Sequence, residues 1–222
     1  MIRKGLLVLL AVAAACLAYV LFAPTRIPPY SIERRPEFHD AALLKRAWSL
    51  PVARRYGPAG FTFQSNPSFC GPTSIADLLR SEGKPFAPAA VLGGTGIHPF
   101  LGLLFGGMTL DQEAAVLRLR TGKPVAVRRG LTPAAFEAEI AGSNDPARRV
   151  IVNFTREPLF GRGHGHFSPV LGYLPDRKLV FVGDVNAHFR PWLAPIDRLY
   201  AAQDTVDSAT GLKRGLLIVD AR

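Results

Sequence analysis

The feature that most restricts how this chain can fold is a tetrapeptide, Pro175-Asp176-Arg177-Lys178, set between the apolar runs Ser168–Leu174 and Leu179–Val185. Proline fixes φ for a turn, and aspartate bonds its own backbone two residues on, so the two together reverse the chain. Two apolar runs joined this way form an antiparallel hairpin. The outer ends of such a hairpin come back together, which brings His166, just before the first strand, to Asp184 at the end of the second. Three more apolar runs, Pro124–Arg128, Arg149–Phe154 and Gly215–Val219, extend the pattern to an antiparallel sheet. Helices from Thr132, with Pro133 in its first turn, and from Pro195 to Gln203 interrupt the strands.

The first half reads differently. Asp40 to Leu50 carries apolar residues at helical spacing, and Phe61 to Gln64 forms a short extended piece. A second helix begins at Cys70, with Pro72 in its first turn, Ile75, Leu78 and Leu79 on one face, and Gly83 closing it. Pro85 to Phe105 is rich in Gly, Pro and apolar residues and makes an irregular wall. Thr109 and Gln112 form a capping box that opens a helix through Leu119, ended by Gly122. A helical first half followed by a sheet defines an α+β fold with its cleft between the two.

Chemistry concentrates at Cys70. A lone cysteine is more often a small buried hydrophobe than a nucleophile, so its surroundings decide. At a helix start the thiol meets unpaired N–H groups and the positive end of the macrodipole, and a lowered pKa is the expectation. Asp184 accepting Nδ1–H of His166 would fix the imidazole tautomer that faces Cys70, in the manner of a triad ordered Cys, His, Asp. His164 is a nearby rival flanked by Gly and Arg, and His39, His98 and His188 lack any comparable setting. No pair of His or Cys residues shows zinc-ligand spacing, so no metal site is expected.

The chain has 222 residues and carries a formal charge of +10, with basic residues scattered rather than clustered, which argues against nucleic acid and fits an anionic lipid or an acidic substrate. Gly5 to Ala23 is uncharged and follows Arg3 and Lys4. It reads as an uncleaved membrane anchor or signal segment over residues 1–23, followed by a Pro-rich linker over 24–36 and one catalytic domain over 37–222. Such a chain is placed on the periplasmic side of the inner membrane. Cys16 lies in the apolar segment, which leaves Cys70 a free thiol.

Five separated motifs then carry a resemblance. Gln64 with Phe69-Cys70-Gly71 and Ser74, the run Gly106–Gln112, Gly165–Pro169, Asp184-Val185, and Thr205-Val206-Asp207 with Arg214-Gly215 resemble, in order and spacing, the catalytic domain of phytochelatin synthase. The resemblance implies a papain-like cysteine protease fold and transfer of γ-glutamylcysteine from glutathione. It implies a triad of Cys70, His166 and Asp184, a Gln64 amide that stabilises the oxyanion, and recognition of the γ-glutamyl ammonium and carboxylate by Asp207 and Arg214. No tightly bound cofactor is implied; cadmium or zinc would enter as a metal-glutathione thiolate, that is, as substrate. Phe69 stands where plant members have tyrosine, the stretch after Asp184 is shortened, and no cysteine-rich C-terminal region is present. Hydrolysis is therefore expected to outrun polymer synthesis. Two other readings share these residues: another exported papain-like peptidase or acyltransferase, and a membrane-anchored binding module.

Overall fold

The computed structural model describes residues 2–22 and 38–220. The expected linker, residues 24–36, lies outside the described residues, as does Ala23. The elements in chain order are helices α1 (Ile2–Phe22), α2 (Ala41–Trp48), α3 (Pro51–Tyr56) and α4 (Cys70–Ser81), a 3-10 turn at Pro88–Leu92, and helix α5 (Leu110–Thr121). There follow β1 (Val125–Arg129), α6 (Pro133–Gly142), β2 (Arg148–Thr155), α7 (Glu157–Phe160), β3 (Gly165–Leu174), β4 (Leu179–Val182), β5 (Trp192–Pro195), α8 (Ile196–Gln203) and β6 (Gly215–Asp220).

The strands form one antiparallel sheet in the order β1-β6-β2-β3-β4-β5. The last strand is thus an inner one, hydrogen-bonded on both sides. Its side chains alternate between two cores: Leu216 and Ile218 pack with Phe136 of α6 and Leu199 of α8, whereas Leu217 and Val219 pack with α4 and α5. Helices cover both faces, so the strands need continuous apolar runs rather than alternation. The helical first half lies on the sheet as expected, and the second half adds helices of its own. The structure has three layers, because α6 and α8 cross to the face opposite α4.

The hairpin forms where the turn signal lies, with Arg177 N–H bonded to the Leu174 carbonyl at 3.1 Å and Lys178 left-handed at φ 51°. Pairing runs Leu174↔Leu179, Tyr173↔Val180 and Gly172↔Phe181, then slips to Val170↔Val182. Gly172 occupies the slip at φ 139°, where a Cβ would lie 3.0 Å from the Asn144 amide oxygen and would press on Leu50. Strand β3 begins at Gly165, so His166 lies inside it and pairs with Phe154. Strand β4 stops at Val182, and Asp184 follows just beyond its end.

Helix α4 is buried on every side, with Arg80 its one residue that is not. Ile75, Leu78 and Leu79 are fully enclosed, each worth about 1.5–3 kcal/mol of burial. Its Ser74 hydroxyl donates to the Phe167 carbonyl at 3.1 Å, which ties the helix to β3. The capping box of α5 forms as read, with Thr109 N–H on the Gln112 amide oxygen at 2.8 Å and Gly122 left-handed at φ 71°. Asp40 caps α2 through Leu43 N–H at 2.8 Å. Three short elements carry no sequence signal that was read: α3, α7, and β5, whose four residues end in proline. In α1 the side chains of Leu7, Leu9, Leu10 and Leu17 are exposed. Among the described residues no helix is long and apolar enough to cross a membrane.

Candidate active site

Asp184 is fully buried and is the best-satisfied acid in the molecule's interior. Its Oδ1 receives His166 Nε2 at 2.9 Å and the Asn186 N–H at 2.9 Å, and its Oδ2 receives Trp192 Nε1–H at 3.1 Å. Arg156 Nη2 lies 2.9 Å from both oxygens. Burial alone would raise this carboxyl's pKa, but Arg156 and His166 outweigh it and hold Asp184 well below the usual carboxylate range. The nitrogen facing the carboxylate is Nε2, not the expected Nδ1. Because His166 sits within the strand, its ring points along the Phe154 side of the sheet, 5.5 Å from that ring in edge contact. Nδ1 is the ring nitrogen that Asp184 does not engage.

Arg156 was missing from the sequence reading, and it is the residue that fixes the charge state here. Its guanidinium stacks 3.8 Å over Phe189 and 5.2 Å from Phe160, an aromatic cage around a buried cation. Burial first, and Arg156 second, push the His166 pKa below 6.5. The imidazole is therefore neutral at neutral pH.

Cys70 opens α4 as expected and lies against the backbone of Phe167, one residue from His166. The expected lowered pKa does not hold. Burial pushes the thiol up to about 11, and the Phe167 and Gly71 backbone groups and Arg156 offset this only in part. Desolvation of a charge outweighs a helix dipole, whose effect is on the order of 1 kcal/mol. A buried Glu113, with neither carboxyl oxygen partnered, adds to the rise through its charge, and burial pushes its own pKa well above the usual carboxylate range. The resting pair is thus thiol and neutral imidazole.

A cavity of about 460 Å3 opens on Cys70. Asp207, Arg214 and Asn153 also line it. Arg214 Nη1 lies 3.7 Å from Asp207 Oδ2 and 3.3 Å from Asn153 Oδ1, and its buried Nε has no partner. Gly165 is required beneath it, since a side chain there would collide with the guanidinium. Asn153 also donates to the His166 carbonyl at 3.2 Å, so one side chain bridges His166 and Arg214. It was unread in the sequence, although a lone amide in the otherwise apolar run of β2 was the available signal. His164 is exposed at the cavity rim and carries only a backbone bond to Arg156. Gln64 N–H bonds the Val185 carbonyl at 2.7 Å, so its backbone is held next to the residue that follows Asp184, and its side-chain Oε1 is buried and unpartnered. Among the described residues no three His, Cys, Asp or Glu side chains converge as metal ligands.

A cysteine at the head of a central buried helix and a His–Asp pair on the facing sheet define the papain-like α+β class. Solved structures agree on the fold. A C39-like peptidase from Bacillus anthracis superposes with a TM-score of 0.53 at 13% identity, covering 73% of this chain and 94% of that one. The peptidase domain of Streptococcus ComA gives 0.50 at 14%, covering 72% and 97%. Within that class the chain belongs to the phytochelatin synthase family, whose profile matches residues 103–216. That span holds His166, Asp184, Asp207 and Arg214. Glutathione gamma-glutamylcysteinyltransferase 3 of Lotus japonicus is 41% identical over 167 residues, 70% of this chain and 35% of the relative. Glutathione gamma-glutamylcysteinyltransferase 1 of Triticum aestivum is 29% identical over 176 residues, 73% and 35%. The chain spans about a third of the length of these curated relatives.

Proposed function

We propose that this chain cleaves glycine from glutathione through a γ-glutamylcysteinyl thioester on Cys70. The observation that carries the reading is a single cavity lined by both the Cys70 thiol and an Asp207–Arg214 pair. The γ-glutamyl end of glutathione is a free amino acid, with an ammonium for Asp207 and a carboxylate for the Arg214 guanidinium. Bound so, the cysteinyl carbonyl is presented towards Cys70. His166 Nδ1 takes the thiol proton as sulfur attacks that carbonyl, and Asp184 steadies the imidazolium that forms. The oxyanion is met by the Gln64 amide and the Cys70 N–H, which has no intrahelical acceptor at the first helical position. Collapse breaks the C–N bond, and His166 returns the proton to the leaving glycine. Water, or a second thiol peptide, then releases the acyl group. A cadmium or zinc glutathione thiolate would enter as substrate. The exposed leucines of α1 support a lipid-associated N-terminal segment, and the short N-terminal tail with Arg3 and Lys4 supports a catalytic domain on the periplasmic side.

The test is mass analysis of the products from glutathione and from its α-linked isomer. Glycine and γ-glutamylcysteine from the γ-linked peptide, with Cys70→Ser inactive, are the expected outcome. Equal cleavage of both isomers would make the chain a general peptidase, and substantial turnover by Cys70→Ser would remove the nucleophile.

A further inference from the structure

Helix α4 carries a second polar group that the triad does not use. Asp77 follows Cys70 by seven residues, two helical turns, and so lies on the same face about 10 Å along the axis. It is 2% exposed. Its Oδ1 accepts the Thr62 N–H at 3.0 Å, and Arg80 Nη1, one turn on, lies 3.3 Å from the same oxygen. Arg80 Nη1 also donates to the Gly60 carbonyl and the Thr62 hydroxyl. An acid–base pair on the nucleophile helix therefore grips residues 60–62 by two oxygens and one N–H. Two residues further on stands Gln64, within about 7 Å of extended chain. Gln64 is gripped from its other side by the Val185 carbonyl.

We propose that Asp77 and Arg80 are positioning residues for the acyl-transfer step: they fasten the segment bearing Gln64 to the helix bearing Cys70, so that both oxyanion donors belong to one rigid frame. The inference rests on the function proposed above. Residues 60–64 form neither helix nor strand, and without the pair their order would depend on the Val185 contact and on the Phe61 and Phe63 rings. The charge is not there for stability. Burial pushes the Asp77 carboxyl up to about 7, against the pull of Thr62 and Arg80, and its Oδ2 has no partner at all. An apolar residue of similar size would suit the core better. A strained, half-satisfied carboxylate that spends stability is the signature of a group kept for function.

The test uses the full chain, with Asp77→Asn and Arg80→Gln measured beside Gln64→Ala. Arg80 is about one-third exposed, so its variant covers the case in which Asp77→Asn does not fold. Glycine release is expected to lose about tenfold or more in kcat, since ångström misplacement of a catalytic group costs on that order. KM for glutathione stays the same, because the Asp207–Arg214 clamp is untouched. Combined with Gln64→Ala, either substitution should add almost nothing. Hydrogen exchange at residues 62–64 is expected to quicken in both variants while β2 and β6 keep their protection. Wild-type kcat in a folded variant, full additivity with Gln64→Ala, or unchanged exchange would each overturn the clamp. If the wild type releases no glycine from glutathione, the functional reading fails, and the exchange measurement still decides whether the pair holds the segment.

Discussion

At the residue scale the decisive partner is Arg156. Replacing Asp184 by asparagine removes the one carboxylate facing a buried guanidinium, and breaking such a pair costs about 3–5 kcal/mol. Asp184→Asn is thus expected to lower the denaturant midpoint as well as to slow glycine release. Adding Arg156→Met should recover much of the stability and none of the activity; a double variant no more stable than Asp184→Asn would refute the charge argument. The pH dependence follows from the same group. Its folded pKa is depressed, so its contribution is present above the unfolded value of about 3.9 and is lost as pH falls towards the lower folded value. Activity has a different window. With the His166 pKa below 6.5, glycine release is expected to fall only on the acid side of that value. Iodoacetamide labelling of Cys70 in the ligand-free protein should keep accelerating as pH rises towards about 11. A labelling midpoint near 7 would show a resting thiolate–imidazolium pair instead.

At the scale of elements, the hairpin and α4 were readable because their signals are local. A turn tetrapeptide, a proline in a first turn and a capping box each act within a few residues. The phase of β3 was not readable, because it depends on the slip at Gly172, and that slip depends on Leu50 and Asn144 from remote segments. The same reason hid Arg156 and Asn153. Each is a single polar residue whose partner lies 28 or 61 positions away, in contact only once the sheet order is known. The tautomer error has this origin too, since a residue inside β3 presents its ring differently from one ahead of it. Gly172→Ala tests the slip directly. Left-handed φ and the close Asn144 and Leu50 contacts together predict a loss of more than about 1 kcal/mol, read by chemical denaturation. A neutral result would mean that the strand can shift its pairing without cost.

For the whole molecule, the balance between hydrolysis and transfer turns on how many amino-acid ends the cavity can hold. The lining offers Asp207 and Arg214, which in the proposed reaction the γ-glutamyl end of the acyl group occupies for the life of the thioester. The rest of the lining includes Pro67, Ser68, Leu104, Gly106, Gly107 and Met108, a wall without a charged side chain. An incoming thiol peptide carries the same ammonium and carboxylates, and nothing charged on that wall would take their place in water. Leaving charges unpaired on entering a partly closed site is costly, whereas a water molecule needs only one or two hydrogen bonds. The thioester is therefore expected to partition to water. In a time course with millimolar glutathione, γ-glutamylcysteine should lead the two-repeat product at all early times, with or without cadmium or zinc. Putting a cation on the uncharged wall, as in Ser68→Arg, should raise the share of the two-repeat product. Early predominance of two-repeat and longer products in the wild type would show that an acceptor is held without charge pairing, and would make the chain a synthase.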